Sequence, residues 1–217
     1  MVTKIMQIEE KISCILCGST QNKVSFPYSI KFSESEFFYK RCSSCKCVFV
    51  NPIPSDDDFE KIYQNDNYHE EHYVEVDLSE YEASVGLLSK YISNDDAKVL
   101  DYGCGYGHFL KALQKNKFQA EGLEFDQAAC IKAENFSGCK VYPTNQLINL
   151  EKNSFNVLHL GDVLEHLPNP QQTLKKLIGI LNTNGIIFIE GPLEINPSPV
   201  YWAAKLFGFI KKIFFQK

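Results

Sequence analysis

No apolar run in the 217-residue sequence approaches the length of a membrane span: the longest candidate, residues 200–215, is interrupted by Lys205, Lys211 and Lys212, whereas a spanning helix needs about 20 predominantly apolar residues. A basic surplus is missing as well. The formal net charge is −5, and neutralising a phosphate backbone takes a concentrated Lys/Arg surface, so composition speaks against a nucleic-acid partner. The first ten residues alternate apolar with charged or polar side chains and lack the apolar core and small-residue cleavage site of a secretion signal, which makes a cytoplasmic protein the expectation. Internal repeats and low-complexity segments are absent too. Hydrophobic residues at 44% and charged residues at 23% are ordinary for a soluble protein and exclude wholesale disorder. The length fits one compact domain with a small appendage.

Cysteine is abundant. Eight cysteines in a chain without an export signal point to reduced thiols and metal ligation rather than disulfides. Cys14-x-x-Cys17 and Cys42-x-x-Cys45 are two paired knuckles, and that spacing lets both sulfurs of a tight turn reach one tetrahedral Zn²⁺. The 24 residues between them exceed the usual separation of about 15–20 and leave room for an extra hairpin. Cys47 offers an alternative ligand beside Cys45. Four thiolates close the coordination sphere, so the expected role is structural, folding a segment too small to bury its own core. Short β-prone stretches at 24–28, 37–39 and 47–50 suit a loop-and-hairpin unit. The prolines at 52 and 54 end it, and a helix is expected to start near Asp57. Three regions follow: a cysteine-rich module over 1–55, a helical or lid-like connector over 56–94, and an α/β domain over 95–217.

Tyr, His and Glu dominate residues 63–81, where His69 and His72 suit part of a lid, a solvated helix face or, at their three-residue spacing, a metal site. The segment 79–93 carries Tyr81, Val85, Leu88 and Ile92 at helical spacing. Short apolar runs then alternate with helical stretches. Strands are expected at 98–102, 118–124, 140–142, 155–161 and 185–190; helices at 107–115, 126–135 and 169–181, with a short turn around 145–150. This alternation implies crossover connections and a parallel sheet. Three alternating glycines, Gly103, Gly105 and Gly107, join the first of these strands to a helix and let a ligand approach backbone closely. Glu124 ends the next strand, where a nucleoside-binding sheet places a carboxylate on the ribose hydroxyls. Dinucleotide loops favour Gly-x-Gly-x-x-Gly for a pyrophosphate; here the spacing is Gly-x-Gly-x-Gly after Asp101, and a carboxylate there suits an amine better. The alternative is a plain strand-to-helix turn with a solvated glutamate.

The set Asp101-x-Gly-x-Gly-x-Gly, Glu124 and Gly161-Asp162-Val163-Leu164-Glu165-His166-Leu167-Pro168-Asn169-Pro170 resembles the successive motifs of class I S-adenosylmethionine-dependent methyltransferases over residues 80–195. The resemblance implies a Rossmann-like, mostly parallel sheet with flanking helices. It places Gly103, Cys104, Gly105 and Gly107 along the methionine part of S-adenosylmethionine, Asp101 toward its ammonium, Glu124 on the ribose with Phe125 beside it, residues 143–146 near the adenine, and Gly161 and Asp162 beside the methyl donor. Methyl transfer is an in-line displacement that needs a base only when the acceptor must lose a proton. His166 then stands as the candidate base and Glu165 as its orienting or substrate-binding partner, against a helix-capping or packing role for His166. His108 and His159 read as structural, and Cys104, Cys130 and Cys139 as small apolar fillers or loop residues.

A zinc-knuckle module ahead of Phe49-Val50-Asn51-Pro52 and such a domain also resembles the bacterial subfamily that includes sugar C-methyltransferases, which implies a small-molecule substrate such as a nucleotide-linked sugar. The rivals are a non-catalytic zinc-ribbon and methyltransferase-like binding module, and an NAD-dependent enzyme on the same topology. The class I fold continues past its fifth strand into an edge hairpin that this chain is expected to lack, leaving an edge prone to self-association. Residues 201–215 read as a core helix, or alternatively as a helix lying on a membrane interface.

Overall fold

The computed structural model describes residues 12–32, 34–63, 77–93, 97–191 and positions 199, 202, 203 and 206. The lid segment with His69 and His72, and most of the expected C-terminal helix, lie outside the described residues. Two compact units divide after Asp58.

In the N-terminal unit the β-prone stretches grow into a three-stranded antiparallel sheet, β1 (Asn22–Phe32), β2 (Ser35–Cys42) and β3 (Val48–Asn51), in that spatial order. The β1–β2 register shifts between Val24 and Ser29, where Pro27 supplies no N–H to a ladder. Its buried cluster is small: Cys14, Cys42 and Phe49, with Ile12, Ile15 and Cys47 packed against them. Ser55 and Asp58 then cap α1 (Asp56–Tyr63) reciprocally. The Asp58 N–H donates to Ser55 Oγ over 3.2 Å, and the Ser55 N–H donates to Asp58 Oδ2 over 3.0 Å, a capping box that starts the helix one residue before the expected position.

The second unit is an α/β sheet of five parallel strands. They are β4 (Lys98–Tyr102), β5 (Gln119–Glu124), β6 (Lys140–Pro143), β7 (Phe155–Gly161) and β8 (Leu181–Glu190), in the spatial order β6-β5-β4-β7-β8. Strand order reverses beside β4, so its carboxyl end borders a crevice of the kind in which open α/β sheets bind ligands. The helices are α2 (Ser79–Leu88), α3 (His108–Lys115), α4 (Gln127–Ser137) and α5 (Pro170–Ile178). Two 3₁₀ turns, Thr144–Asn149 and Leu164–His166, are added among the described residues. Side chains alternate across the sheet with period two. Val99 and Val157 meet α2 and α3 through Val85, Leu88, Phe109 and Leu113, while Leu100, Leu158 and Leu160 meet Leu177 and Leu147 on the opposite face. By the same parity Asp101, His159 and Glu190 fall on the α2/α3 side, although two are charged residues and the third titrates.

Two helix ends differ most from expectation. The helix expected to reach 181 ends at Ile178, where the Gly179 N–H donates to Lys176 O, and Leu181 instead opens β8 opposite Phe155. Leu177, Ile180 and Leu181 join the same apolar cluster, so burial alone could not separate the two assignments. The helix expected over 79–93 stops at Leu88, and residues 89–92 form a turn. Among the described residues no helix is long and apolar enough to cross a membrane.

Candidate functional site

The glycine loop owes its path to three left-handed residues: φ is +79° at Gly103, +52° at Gly105 and +82° at Gly107. It is stitched to β5, since the N–H groups of Gly103 and Cys104 both donate to Leu123 O, at 2.7 and 3.1 Å. A Cβ on Gly107 would stand 3.0 Å from Ala133 O of α4, and one on Gly103 would stand 2.5 Å from Val163 Cγ2. The first glycine therefore lets the acidic turn after β7 close over the loop, and the last lets α3 start against α4. Cys104 is buried at 8% exposure, and a Cβ on Gly122 would sit 2.7 Å from its sulfur. Burial, reinforced by the negative charges of Asp101 and Glu124, raises this thiol far above the usual range, which makes it packing material rather than a nucleophile.

Glu124 is brought to the loop as its sequence position implies, at 7% exposure. Its Oε2 accepts the Gly105 N–H at 2.8 Å, and its Oε1 accepts the N–H groups of Phe125 and Asp126 at 2.7 and 3.1 Å. An ionised carboxylate has about four acceptor positions, so three backbone donors preorganise it and leave capacity on Oε2. Phe125 is 56% exposed beside it. Pro143 ends β6 directly opposite Glu124 in register, so residues 143–146 share this edge of the sheet. Gly161, Asp162, Glu165 and His166 gather at the end of β7. Asp162 adopts φ +52° and its N–H donates to Glu190 O at 3.0 Å. Glu165 and His166 are exposed on their turn, and the two side chains make no hydrogen bond to each other among the described residues.

A polar chain that local sequence does not reveal lies beneath this edge, buried at Asp101 and His159 and half-buried at Glu190 and Ser84. His159 Nδ1 lies 2.7 Å from Asp101 Oδ1 and His159 Nε2 lies 3.2 Å from Glu190 Oε2, while Ser84 Oγ of α2 donates to Glu190 Oε1 over 2.6 Å. Burial pulls the imidazole pKa down, but Asp101 and Glu190 outweigh it and push it up to about 9. The hydrogen bond from His159 holds Glu190 below its ordinary carboxylate range. Because the folded pKa exceeds the unfolded value of about 6.5, the stabilisation is complete below that value and fades as pH rises through about 9. Thermal melts should therefore show His159→Phe losing more stability, relative to the parent, at pH 6 than at pH 10; an equal loss at both would discount the charge. His108, at the first position of α3, stacks against Tyr81 at 5.7 Å and lies 5.1 Å from Phe136, which accords with a packing role.

In the other unit, Cys14, Cys17, Cys42 and Cys45 bring their four sulfurs within 4.8 Å of one another. The Cys14–Cys45 and Cys17–Cys42 pairs are 3.5 and 3.6 Å apart, against the edge of about 3.8 Å expected for sulfurs 2.3 Å from a tetrahedral Zn²⁺. Each knuckle turns the same way: Gly18 N–H returns to Cys14 O at 2.9 Å and Lys46 N–H to Cys42 O at 3.2 Å, with φ near +70° at both. Against its burial, the backbone N–H groups of Cys45 and Ser44 hold the Cys42 thiol down to about 6. The donor set therefore fits a thiolate-bound cation. Cys47 lies outside this group of four.

Comparison with known proteins agrees with this architecture. The chain is similar to the ubiquinone biosynthesis O-methyltransferases of Coxiella burnetii, at 25% identity over 109 residues (48% of this chain, 47% of the relative), and of Psychrobacter cryohalolentis, at 26% over 145 residues (63% and 52%). It spans about half the length of these curated relatives. The crystal structure of a SAM-dependent methyltransferase from Archaeoglobus fulgidus shares the fold at a TM-score of 0.50 and 19% identity, covering 66% of this chain and 64% of that one. The family model described as "Methyltransferase domain" matches residues 71–207, and the chain belongs to that methyltransferase-domain family.

Proposed function

We propose that the chain binds S-adenosylmethionine at the carboxyl edge of its five-stranded sheet and transfers the methyl group to a small metabolite, with a nucleotide-linked sugar as the first substrate class to test. One observation carries the reading: Glu124, buried and locked by three backbone donors, lies against the Gly105 N–H of a glycine-rich loop. In this reading Gly103 to Gly107 pass the methionine moiety, Asp101 receives its ammonium, and Glu124 takes the ribose hydroxyls with Phe125 alongside. Gly161 and Asp162 border the methyl donor. Because the transfer is an in-line displacement, the protein's main contribution is to hold donor and acceptor in attack geometry.

His166, exposed at the rim, serves as general base if the acceptor is a hydroxyl or an acidic carbon. O-methylation, for which the relatives are named, belongs to the class in which the acceptor loses a proton. The four N-terminal cysteines hold a structural Zn²⁺. Functionally the chain is divided into a zinc module over 1–55, a connector over 56–94 and the cofactor domain over 95–217.

Titration calorimetry with S-adenosylmethionine and S-adenosylhomocysteine tests the binding step, and methyl incorporation into sugar nucleotides and small phenols tests the transfer. Absence of heat with either ligand would leave the non-catalytic binding-module reading in its place. His166→Ala is expected to lower turnover by roughly 10²–10⁴-fold with cofactor affinity unchanged. Equal turnover would remove His166 from the chemistry.

A further inference from the structure

We propose that His159, held as an imidazolium between Asp101 and Glu190, is a positioning residue that fixes the Asp101 carboxylate for the ammonium group of the cofactor's methionine moiety. The inference rests on the reading of this edge as a cofactor site.

Hydrogen-bond bookkeeping carries it. The two ring nitrogens of His159 each face a carboxylate oxygen, at 2.7 and 3.2 Å. A neutral imidazole has one donor and one acceptor, and its acceptor nitrogen would then oppose an acceptor oxygen; only the imidazolium offers two donors. The other Glu190 oxygen is occupied by the Ser84 hydroxyl, which turns Glu190 toward the ring. Two carboxylates and one imidazolium leave a net charge of −1 at the tip of β4, a sign that suits a cationic ligand.

The surroundings keep the ring in place. Phe109 packs on it at a centroid distance of 3.8 Å and Phe188 at 5.4 Å, and aromatic faces favour a cation. The space is made by Gly161, since a Cβ there would stand 2.9 Å from His159 Cε1. β4 presents Asp101 and β8 presents Glu190. α2 presents Tyr81, within electrostatic reach of Asp101, Asp162, Glu80 and Glu190, and α3 presents the uncharged Phe109. The imidazolium is the only cationic side chain among these groups. Asp101 and His159 are cross-strand neighbours in the β4–β7 register, so a shift of the ring passes directly to the carboxylate.

Three measurements on the full chain decide the matter. Nitrogen-15 NMR of the ligand-free protein at pH 7 should place both His159 nitrogens in the protonated range; a single protonated nitrogen overturns the proposal and does not touch the cofactor reading. In calorimetry His159→Gln should weaken S-adenosylhomocysteine roughly tenfold, the effect of losing a hydrogen bond to a charged group, while adenosine, which lacks the amino-acid part, keeps its affinity. Equal weakening of both ligands, or of neither, overturns it, because general loosening of the fold would not discriminate between them. In an Asp101→Asn background His159→Gln should add little, and full additivity would likewise count against coupling. If the parent protein binds neither ligand, the cofactor reading fails and the proposal falls with it.

Discussion

Gly105→Arg should abolish S-adenosylhomocysteine binding while the protein still melts cooperatively, whereas Gly107→Val should damage the fold itself. Both positions are left-handed, at φ +52° and +82°, and a non-glycine residue pays about 1–2 kcal/mol there. Their surroundings separate the two effects. At Gly107 the added Cβ meets backbone, 3.0 Å from Ala133 O and 3.1 Å from Ala133 Cα, and the interior of α4 cannot give way. Overpacking of that kind typically costs a further 1–3 kcal/mol, so a total destabilisation of roughly 2–5 kcal/mol is expected. Gly105 instead lends its N–H to Glu124 at the mouth of the crevice, and an arginine there fills the passage and places a cation beside the carboxylate proposed to take the ribose. Calorimetry paired with thermal melts distinguishes the two variants. Undiminished affinity in Gly105→Arg would move the ligand away from this loop.

Much of this site is written in local sequence. Gly103, Gly105 and Gly107 announce a glycine-rich turn, and Glu124 announces its partner because β5 must end level with β4 in a parallel sheet. The strand over 155–161 is legible because alternation and an apolar run coincide there, and its observed limits are the expected ones. What stayed hidden depends on register. Asp101, His159 and Glu190 are 58 and 31 residues apart along the chain and meet only because three neighbouring strands align and share one parity. On the strand alone, a histidine among Leu158 and Leu160 reads as core, and Gly161 reads as part of a motif rather than as room for the ring. Glu124 shows the converse limit: its position was readable, but not the three backbone donors that hold it, since two follow from the turn after β5 and the third from the loop after β4.

Loss of metal should unfold the N-terminal sheet, and this is the second large effect. Among the described residues this unit buries few apolar side chains, Cys14, Phe37, Cys42 and Phe49, with Ile12, Ile15 and Cys47 packed against the cysteine cluster, and a segment that small does not sustain a fold by apolar burial alone. Structural Zn²⁺ contributes on the order of 10–16 kcal/mol of apparent binding free energy at neutral pH, far more than this cluster can offer. Without a cation the thiols compete for protons. Despite a favourable backbone contact from Cys47, burial and the neighbouring thiols push Cys45 up to about 12, so a second thiolate forms against a steep penalty that a divalent ion removes. Purified protein should therefore carry one zinc per chain by elemental analysis. Cys42→Ser or a strong chelator should release the ion and erase the amide protection of β2, whereas Cys47→Ser, outside the group of four, should retain both. Zinc-free protein with a fully protected β2 would show that the cysteines fold the sheet without it.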